Sequence, residues 1–469
     1  MILFILFFIG FAFKSGFVPF HTWLPYAHPA APSHISGIMS GVLIKCGIYG
    51  ILRMLLLIRA DYTVMGYAIL AVSAISGLYG VMLAIVQHDL KRLLAYHSVE
   101  NIGIIGLGIG IGCIGLGSGN PLLIALGFAG ALLHTLNHAL FKSLLFYAAG
   151  IVYQATHTLK IEHLGGLIKK MPQTTLLFLI AAAAITGIPP FNGFISEFII
   201  YCGFYEWLQN APVITLILIL FLILSLVLIG GLAILCFTKA FGIAFLGQPR
   251  KTLPHEVQEA PFLQLIPMYL IALFIVLIGL FPQPFISMLA KPIGLFTDIC
   301  SVGYDPIQGK AFKALQPIAW AMWGLILLVA GLFLVRKWML SKRVVREDST
   351  WGCGYVAPTA NMQYTASSFM RSYSKLNKPT LLFVRHKKEI EQVFPAESHY
   401  ESHAYDKIEK WLITKPVKLL RSFLDWFRFF QNGRLQSYIL YGILFILLVI
   451  IIPLIFNGIS SLFDWFKQL

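Results

Sequence analysis

Charged residues are scarce in this sequence. Asp, Glu, Lys and Arg make up 12% of the 469 residues, whereas hydrophobic residues make up 58%. The mean hydropathy is +0.80. This balance excludes an ordinary soluble globular domain. Apolar runs of about 20 residues recur along the chain, and each is long enough to cross a bilayer as a helix.

Cysteine is also sparse. The six cysteines are scattered, with no CxxC pair and no cluster spacing, which argues against an iron–sulfur cluster, a zinc site or a disulfide framework. We therefore expect neither a cofactor nor a metal ion in this chain. No charge precedes Lys14, so the N-terminal region lacks the basic segment of a signal peptide and is typical of a membrane helix.

About ten apolar runs have the length of a membrane span. The sixth is interrupted at 187–193, where two adjacent prolines should break the helix. Broken helices at membrane depth are tolerated where the freed backbone lines a cavity or packs inside protein, as in transporters. The predicted fold class is an all-α polytopic membrane protein with discontinuous helices. The predicted spans are 1–20, 33–58, 62–86, 98–117, 121–153, 174–207, 211–246, 262–290, 316–337 and 435–456.

The chain is basic, with 35 Lys and Arg against 20 Asp and Glu and a formal net charge of +15. In a membrane protein this excess is typical of cytoplasmic loops and of contact with anionic lipid, so we expect no nucleic-acid partner. Basic residues follow the third, fifth, seventh and ninth spans, which predicts that this side is cytoplasmic. The loop 291–315 is the exception to this pattern, because its lysines lie on the side opposite the predicted cytoplasmic side. The basic residues are Lys91, Arg92, Lys160, Lys169, Lys170, Arg250 and Lys251, together with the long segment 338–434.

The end of that long segment, at about 405–434, alternates apolar and basic positions like a helix lying on a membrane surface. The alternative is a solvated loop with a short amphipathic helix.

Two lysines lie within predicted spans, Lys14 in the first and Lys45 in the second, on either side of a proline- and histidine-rich break. An ammonium at membrane depth costs about 2.5–3.5 kcal/mol on insertion scales, so intramembrane lysines indicate a functional site. We interpret the pair as part of a proton path. The alternatives are that Lys14 snorkels to the interface and that Lys45 is a structural salt-bridge partner.

A second group of ionisable residues is spaced by four in HTLNHALFK, which puts His134, His138 and Lys142 on one helical face. Imidazoles and an amine on one stripe inside a membrane resemble a proton relay. Zinc binding by the two histidines is a competing interpretation, but no third ligand is evident. Interhelical hydrogen bonding is the structural alternative.

Three further ionisable residues lie in or beside predicted spans. Glu197 lies within the sixth span, a few residues after its break, and as a buried carboxylate near lysines it would control their protonation. Glu100 begins the fourth predicted span, where it is either a member of the path or a helix cap. Lys239, late in the seventh span, is either an exit-side proton carrier or a snorkelling lysine.

Two glycine patterns have structural interpretations. The sequence at 110–115 matches GxGxxG, but it lies in an apolar helix outside any βαβ unit, so we interpret it as a close-packing stripe. The segments GFVPF at 16–20 and GIPPF at 187–191 resemble each other weakly. Matching Gly/Pro interruptions in two halves are typical of inverted-repeat transporters.

Several motifs together resemble the antiporter-like subunits of respiratory complex I and of Mrp antiporters, over about residues 1–290. Three later signatures, HTLNHALFK, AYHSVENIG and especially WGCGYVAPTANMQYTASSFMRS at 351–372, are similar to the branch that contains hydrogenase-4 component B and formate hydrogenlyase subunit 3. The motifs of the wider family are FKSGFVPFHTWLPYAHPAAPSHISG, LIKCGIYGILR, HDLKRLLAYHSVENIG, HALFKSLLF and GIPPFNGFISEF.

The resemblance implies two inverted five-helix repeats with polar residues connecting two half-channels. It implies that Lys14 and Lys45 match the family's proton-path lysines, that His138 and Lys142 match its later histidine and lysine, and that Glu197 matches its acid on a broken helix. Family members carry about six helices before the segment that opens this chain. We therefore expect the end of the first repeat at 1–58, the whole second repeat at 59–250, additional helices at 251–337, a cytoplasmic segment at 338–434 and a last span at 435–469.

The resemblance implies a proton-translocating subunit of a membrane-bound hydrogenase or an NADH–quinone oxidoreductase-like complex. Its partners would be other membrane subunits and peripheral redox subunits, and its location the inner (cytoplasmic) membrane of the cell. The alternatives are a cation/proton antiporter subunit of Mrp type and a membrane anchor without transport.

Overall fold

A computed structural model describes residues 1–209, 211–250, 256–297, 310–313, 315–341, 343–344, 354, 357, 359–376, 382–387, 400–431 and 433–467. Lys251, two cysteines (Cys300 and Cys353) and much of 351–358 in the branch signature lie outside these residues. The chain forms two compact units, Met1–Asp406 and Lys407–Leu469.

Among the described residues, eight helices are long and apolar enough to cross a membrane, and two shorter apolar helices accompany them. This confirms the polytopic helical class. In the first unit the helices are α1 (Ile2–Ser15), α2 (Leu24–Ala30), α3 (Ser33–Ile38), α4 (Lys45–Leu57), α5 (Tyr62–Ile85), α6 (Leu90–Ser118), α7 (Pro121–Thr156), α8 (Leu167–Lys170), α9 (Pro172–Ile185), α10 (Asn192–Leu208), α11 (Val213–Ala244), α12 (Phe262–Leu280), α13 (Pro282–Met288), α14 (Ala290–Thr297), α15 (Lys310–Lys313), α16 (Leu315–Leu340) and α17 (Ala366–Leu376).

Side-chain caps set where the three central helices begin. Asp61 accepts hydrogen bonds from the backbone at the start of α5, Asp89 from Arg92 at the start of α6, and Asn120 from the first turn of α7. Such caps satisfy backbone donors that have no partner inside the helix. Helix α6 begins at Leu90, before the predicted start at 98. The prediction was late because Lys91 and Arg92 interrupt the apolar run, although they belong to the first turns.

Helix α6 is the centre of the first unit, and the most hydrophobic stretch of it is wholly buried. It packs against α5, α7 and α10. Its glycines permit this approach. A Cβ at Gly112 would lie 2.7 Å from the ring of Phe128, and one at Gly115 would lie 2.5 Å from the backbone nitrogen of Ile124. The close-packing interpretation of the 110–115 stripe is confirmed.

The predicted break in the sixth span is also confirmed, because α9 ends at Ile185 and α10 begins at Asn192. Gly187 lies between them with φ of +66°, a left-handed conformation that favours glycine. Gly16 ends α1 with φ of +84°. The two resembling segments thus share a left-handed glycine after a helix, while the inverted-repeat relation itself stays a prediction.

The described part of 338–434 contains helix α17 and a β-hairpin, neither of which the sequence predicted. Strands β1 (Leu382–Lys387) and β2 (Tyr400–Tyr405) pair antiparallel, with Leu382 opposite Tyr405 and Lys387 opposite Tyr400. The hairpin went unpredicted because its strands are short and rich in His, Ser, Glu and Lys.

The second unit contains α18 (Lys407–Glu409), α19 (Lys415–Trp426) and α20 (Leu435–Phe466). Helix α19 presents apolar and basic side chains, and its residues are exposed on this chain. The helix expected within 405–434 is therefore confirmed, and its contact with a membrane surface stays a prediction. Helix α20 is the predicted last span.

Candidate functional site

Lys142 lies in a buried polar cluster between α6 and α7. Its side chain is fully buried, and its ammonium donates to the carbonyl of Leu94 on α6. The nitrogen also lies 5.6 Å from the centre of the Phe146 ring. Glu100 on α6 interacts with Lys142 electrostatically, so the amine has a carboxylate nearby. A cation buried without such partners would be strongly destabilising.

Glu100 is hydrogen-bonded to Nδ1 of His97, one turn away on α6, and both side chains are buried. The interpretation of Glu100 as a helix cap is wrong, because Asp89 occupies that position. Glu100 belongs instead to the same buried cluster as Lys142.

His134 joins three helices through its two ring nitrogens. Nδ1 lies 2.9 Å from the hydroxyl of Ser196 on α10, and Nε2 lies 3.1 Å from Oδ1 of Asn101 on α6. Asn137, one turn along α7, donates to Ser196 as well, at 2.9 Å. Because Oδ1 of Asn101 can only accept, Nε2 of His134 is the donor. The buried network thus fixes the orientation of one imidazole of the predicted stripe.

The other histidines near Lys142 carry buried ring nitrogens that have no hydrogen-bond partner in the described part of the chain. These are both ring nitrogens of His28, both of His138 and Nε2 of His97. Buried polar groups are normally hydrogen-bonded to protein or to ordered water. The unpartnered nitrogens therefore mark positions for water next to titratable groups, which is the arrangement that a proton relay requires.

Lys45 is half-buried at the start of α4, after a bulged helical turn. In this turn the backbone nitrogen of Ile44 donates to the Met39 carbonyl, five residues back. The Ser40 carbonyl accepts instead from the ammonium of Lys45. Ser40 also bonds to Ser98 on α6, at 2.9 Å between the hydroxyls. Such bulges are frequent at functional sites, and this one connects Lys45 to the central helix.

The remaining predicted residues lie around this cluster. Lys14 is exposed in the last turn of α1, outside the buried group. Glu197 packs against the Gly187 turn, where an added Cβ would lie 2.7 Å from its carboxylate. Its electrostatic neighbours include Glu100 and Tyr201. Glu100 is thus an acid that interacts with Lys142, and the control of lysine protonation by Glu197 stays a prediction.

Lys239 lies on α11 and is fully buried. It contacts the turn between α5 and α6. Its ammonium donates to the carbonyls of Ile85, at 2.5 Å, and Gln87, at 2.9 Å. Within the described residues, no cluster of three or more His, Cys, Asp or Glu side chains is placed to hold a metal ion.

Sequence reasoning missed a second buried acid, Asp406. One carboxylate oxygen lies 2.8 Å from Nε2 of His21, and the other accepts a hydrogen bond from the Tyr79 hydroxyl at 2.6 Å. His21 lies in the break after α1 and Tyr79 lies on α5. The histidine-rich break was the only indication of this contact in the sequence. Asp406 lies 385 positions from His21, and no local pattern connects the two residues.

Comparison with known proteins shows the family of the chain. Residues 1–226 match the family model described as NADH:quinone oxidoreductase/Mrp antiporter, TM. Hydrogenase-4 component B of Escherichia coli (strain K12) is 35% identical over 468 residues, which cover 96% of this chain and 68% of that protein. The chain belongs to this antiporter-like family.

Formate hydrogenlyase subunit 3 of the same organism is 34% identical over 377 residues, which cover 80% of this chain and 60% of that protein. The chain thus spans about two thirds of the length of these two relatives. Among solved structures, the membrane-bound sulfane sulfur reductase, an archaeal respiratory membrane complex, contains a similar chain with a TM-score of 0.68 and 24% identity. That match covers 95% of this chain and 68% of the other, and it shows a shared fold.

Proposed function

We propose that this chain is a proton-translocating membrane subunit of a hydrogenase or complex I-like oxidoreductase. The observation that carries the proposal is the environment of Lys142. A buried amine lies near a buried carboxylate and is surrounded by imidazoles whose nitrogens have no protein partner among the described residues. The two relatives from Escherichia coli are named as components of hydrogenase-4 and formate hydrogenlyase.

In the proposed mechanism, Lys45 on α4 and Lys142 on α7 store protons, and His138 interacts electrostatically with both. The two lysines are close enough to repel each other electrostatically. A proton arriving at one amine therefore favours release from the other. His138 lies between them in this electrostatic network, with both ring nitrogens free to bond water. Glu100 stabilises the charged form of Lys142, and Lys239 is a further proton carrier of the path.

The redox chemistry of such a complex would take place in partner subunits. We propose that these include other membrane subunits and a peripheral redox module, and that the complex lies in the bacterial inner membrane. A cation/proton antiporter subunit of Mrp type is the second candidate, because the matching family model carries both names.

The test is redox-linked proton uptake in vesicles that contain the intact complex. We expect Lys142→Ala and Lys45→Ala each to reduce uptake by at least tenfold at equal assembly. Lys169→Ala is the matched control, since this lysine is exposed on α8 and should leave uptake unchanged. Normal uptake in both Lys45→Ala and Lys142→Ala would overturn the proposal. Sodium- or potassium-driven proton movement without a redox substrate would instead support the Mrp-type function.

A further inference from the structure

The residues around Lys239 connect its buried amine to a surface turn between α5 and α6. The turn that binds the Lys239 ammonium, between α5 and α6, pairs with the chain near residue 160. The nitrogen of Leu90 donates to the Leu159 carbonyl, and that of Ile161 donates to the His88 carbonyl, both at 2.9 Å. This backbone pairing brings His88 beside Glu162.

His88 and Glu162 are two titratable groups between the buried amine and the solvent. Nδ1 of His88 lies 3.8 Å from Oε1 of Glu162, and each side chain is 25% exposed. Lys239 itself is fully buried and interacts electrostatically with Glu162. Exposure therefore rises from Lys239 in the interior to the pair of His88 and Glu162 at the surface.

One oxygen of the Glu162 carboxylate accepts a hydrogen bond, and the other accepts none from the described residues. Oε1 accepts a hydrogen bond from the backbone nitrogen of Ser367, at 3.3 Å, at the start of α17. Oε2 lies 3.6 Å from a guanidinium nitrogen of Arg250. This second oxygen is buried and accepts no hydrogen bond from any residue that the structure describes. A buried carboxylate oxygen with free lone pairs is a position for water or for a proton.

We propose that His88 and Glu162 form the aqueous mouth of the proton path at its Lys239 end, on the side that the basic loops predict to be cytoplasmic. The inference rests on the proposed function and adds its connection to solvent. In the uptake direction, the Glu162 carboxylate takes a proton from water and passes it to the neutral imidazole of His88. The imidazolium then protonates the neutral amine of Lys239, and release follows the reverse order. Both transfers run through water, because 3.8 Å is too long for a direct hydrogen bond and the Gln87 carbonyl carries no proton.

The competing explanation is that Glu162 only fastens α17 to the loops. The segment that contains α17 is also attached to the loops through Gln363, and this second attachment provides a control. The side-chain amide of Gln363 bonds to both backbone groups of Gln248, at 3.0 and 2.5 Å. Ala366 and Met370 of α17 are buried in the main core. Gln363→Ala therefore weakens the attachment without removing a titratable group.

The experiment measures redox-linked proton uptake by the intact complex in vesicles for Glu162→Gln, His88→Gln, Glu162→Asp and Gln363→Ala. We expect Glu162→Gln and His88→Gln to lower uptake at least fivefold at equal assembly. Glu162→Asp should retain most uptake, and Gln363→Ala should match the unmodified chain. Millimolar imidazole in the buffer should restore uptake in Glu162→Gln and His88→Gln, because a diffusible base replaces a proton carrier but not a structural fastener.

Three results would overturn the inference: normal uptake in both Glu162→Gln and His88→Gln, an equal loss in Gln363→Ala, or no rescue by imidazole. Should Glu162→Gln fail to assemble, His88→Gln with its imidazole rescue decides the question. Lys142→Ala, measured alongside, separates the two proposals. If Lys142→Ala abolishes uptake and the mouth variants do not, only the further inference fails. If Lys142→Ala leaves uptake intact, the proposed function fails.

Discussion

The Nε2 atom of His21 lies 2.8 Å from the carboxylate of Asp406, although the two residues are 385 positions apart. Both side chains are almost completely buried. The same carboxylate accepts a hydrogen bond from Tyr79 on α5. Asp406, the last residue of the first unit, thus connects the break after α1 to α5.

We expect Asp406→Ala to destabilise the protein, because it leaves the buried His21 and Tyr79 without their acceptor. Leaving a buried polar group unsatisfied costs about 1–3 kcal/mol. Asp406→Asn should cost less, since the amide oxygen still accepts from Tyr79. Thermal unfolding in detergent measures the effect, with the exposed Asp425→Ala as control. An unfolding temperature for Asp406→Ala equal to that of the control would show that the contact contributes nothing to stability.

Glu100 should matter for transport more than for folding. Glu100→Gln keeps the shape of the side chain but removes the charge that interacts with Lys142. A change of about 1.4 kcal/mol in that interaction alters the protonation equilibrium about tenfold, so we expect proton uptake about tenfold slower. Glu256→Gln, at an exposed position, is the control. Unchanged uptake in Glu100→Gln would remove Glu100 from the mechanism.

Asp89 gives a pH-dependent prediction. Burial raises its pKa from the ordinary 3.8, partly offset by backbone hydrogen bonds from Arg92 and Lys91. The folded state therefore binds this proton more tightly than the unfolded state. The contribution of Asp89 to stability is present at low pH and is lost as the pH rises from 3.8 through the raised pKa.

Asp89→Asn still caps α6 but cannot ionise. It should match the parent in acid and exceed the parent's free energy of unfolding above the raised pKa. Asp89→Ala, which loses the cap, should cost about 1 kcal/mol. Unfolding followed by tryptophan fluorescence from acidic to neutral pH measures both. A stability advantage of Asp89→Asn in acid alone would contradict the predicted sign.

The sequence predicted the spans and part of the site for identifiable reasons. Long apolar runs and adjacent prolines report on local structure, so most of the spans and the break at 187–193 were predicted, although α6 begins earlier than predicted and the predicted span 262–290 is divided among α12, α13 and α14. The spacing of His134, His138 and Lys142 also reflects a single helix, and all three are buried. The role of Asp406 and the electrostatic interaction of Glu100 with Lys142 depend on contacts between different segments, which periodicity does not encode. The control of lysine protonation by Glu197 stays a prediction.

The central claim is that Lys142 carries protons whose movement is driven by redox chemistry elsewhere in the complex. The most direct measurement is the number of protons moved per substrate turned over by the intact complex carrying Lys142→Met, with Lys169→Met as control. We predict that redox turnover in Lys142→Met persists while the proton-to-substrate ratio falls by at least tenfold. An unchanged ratio in Lys142→Met would contradict the account.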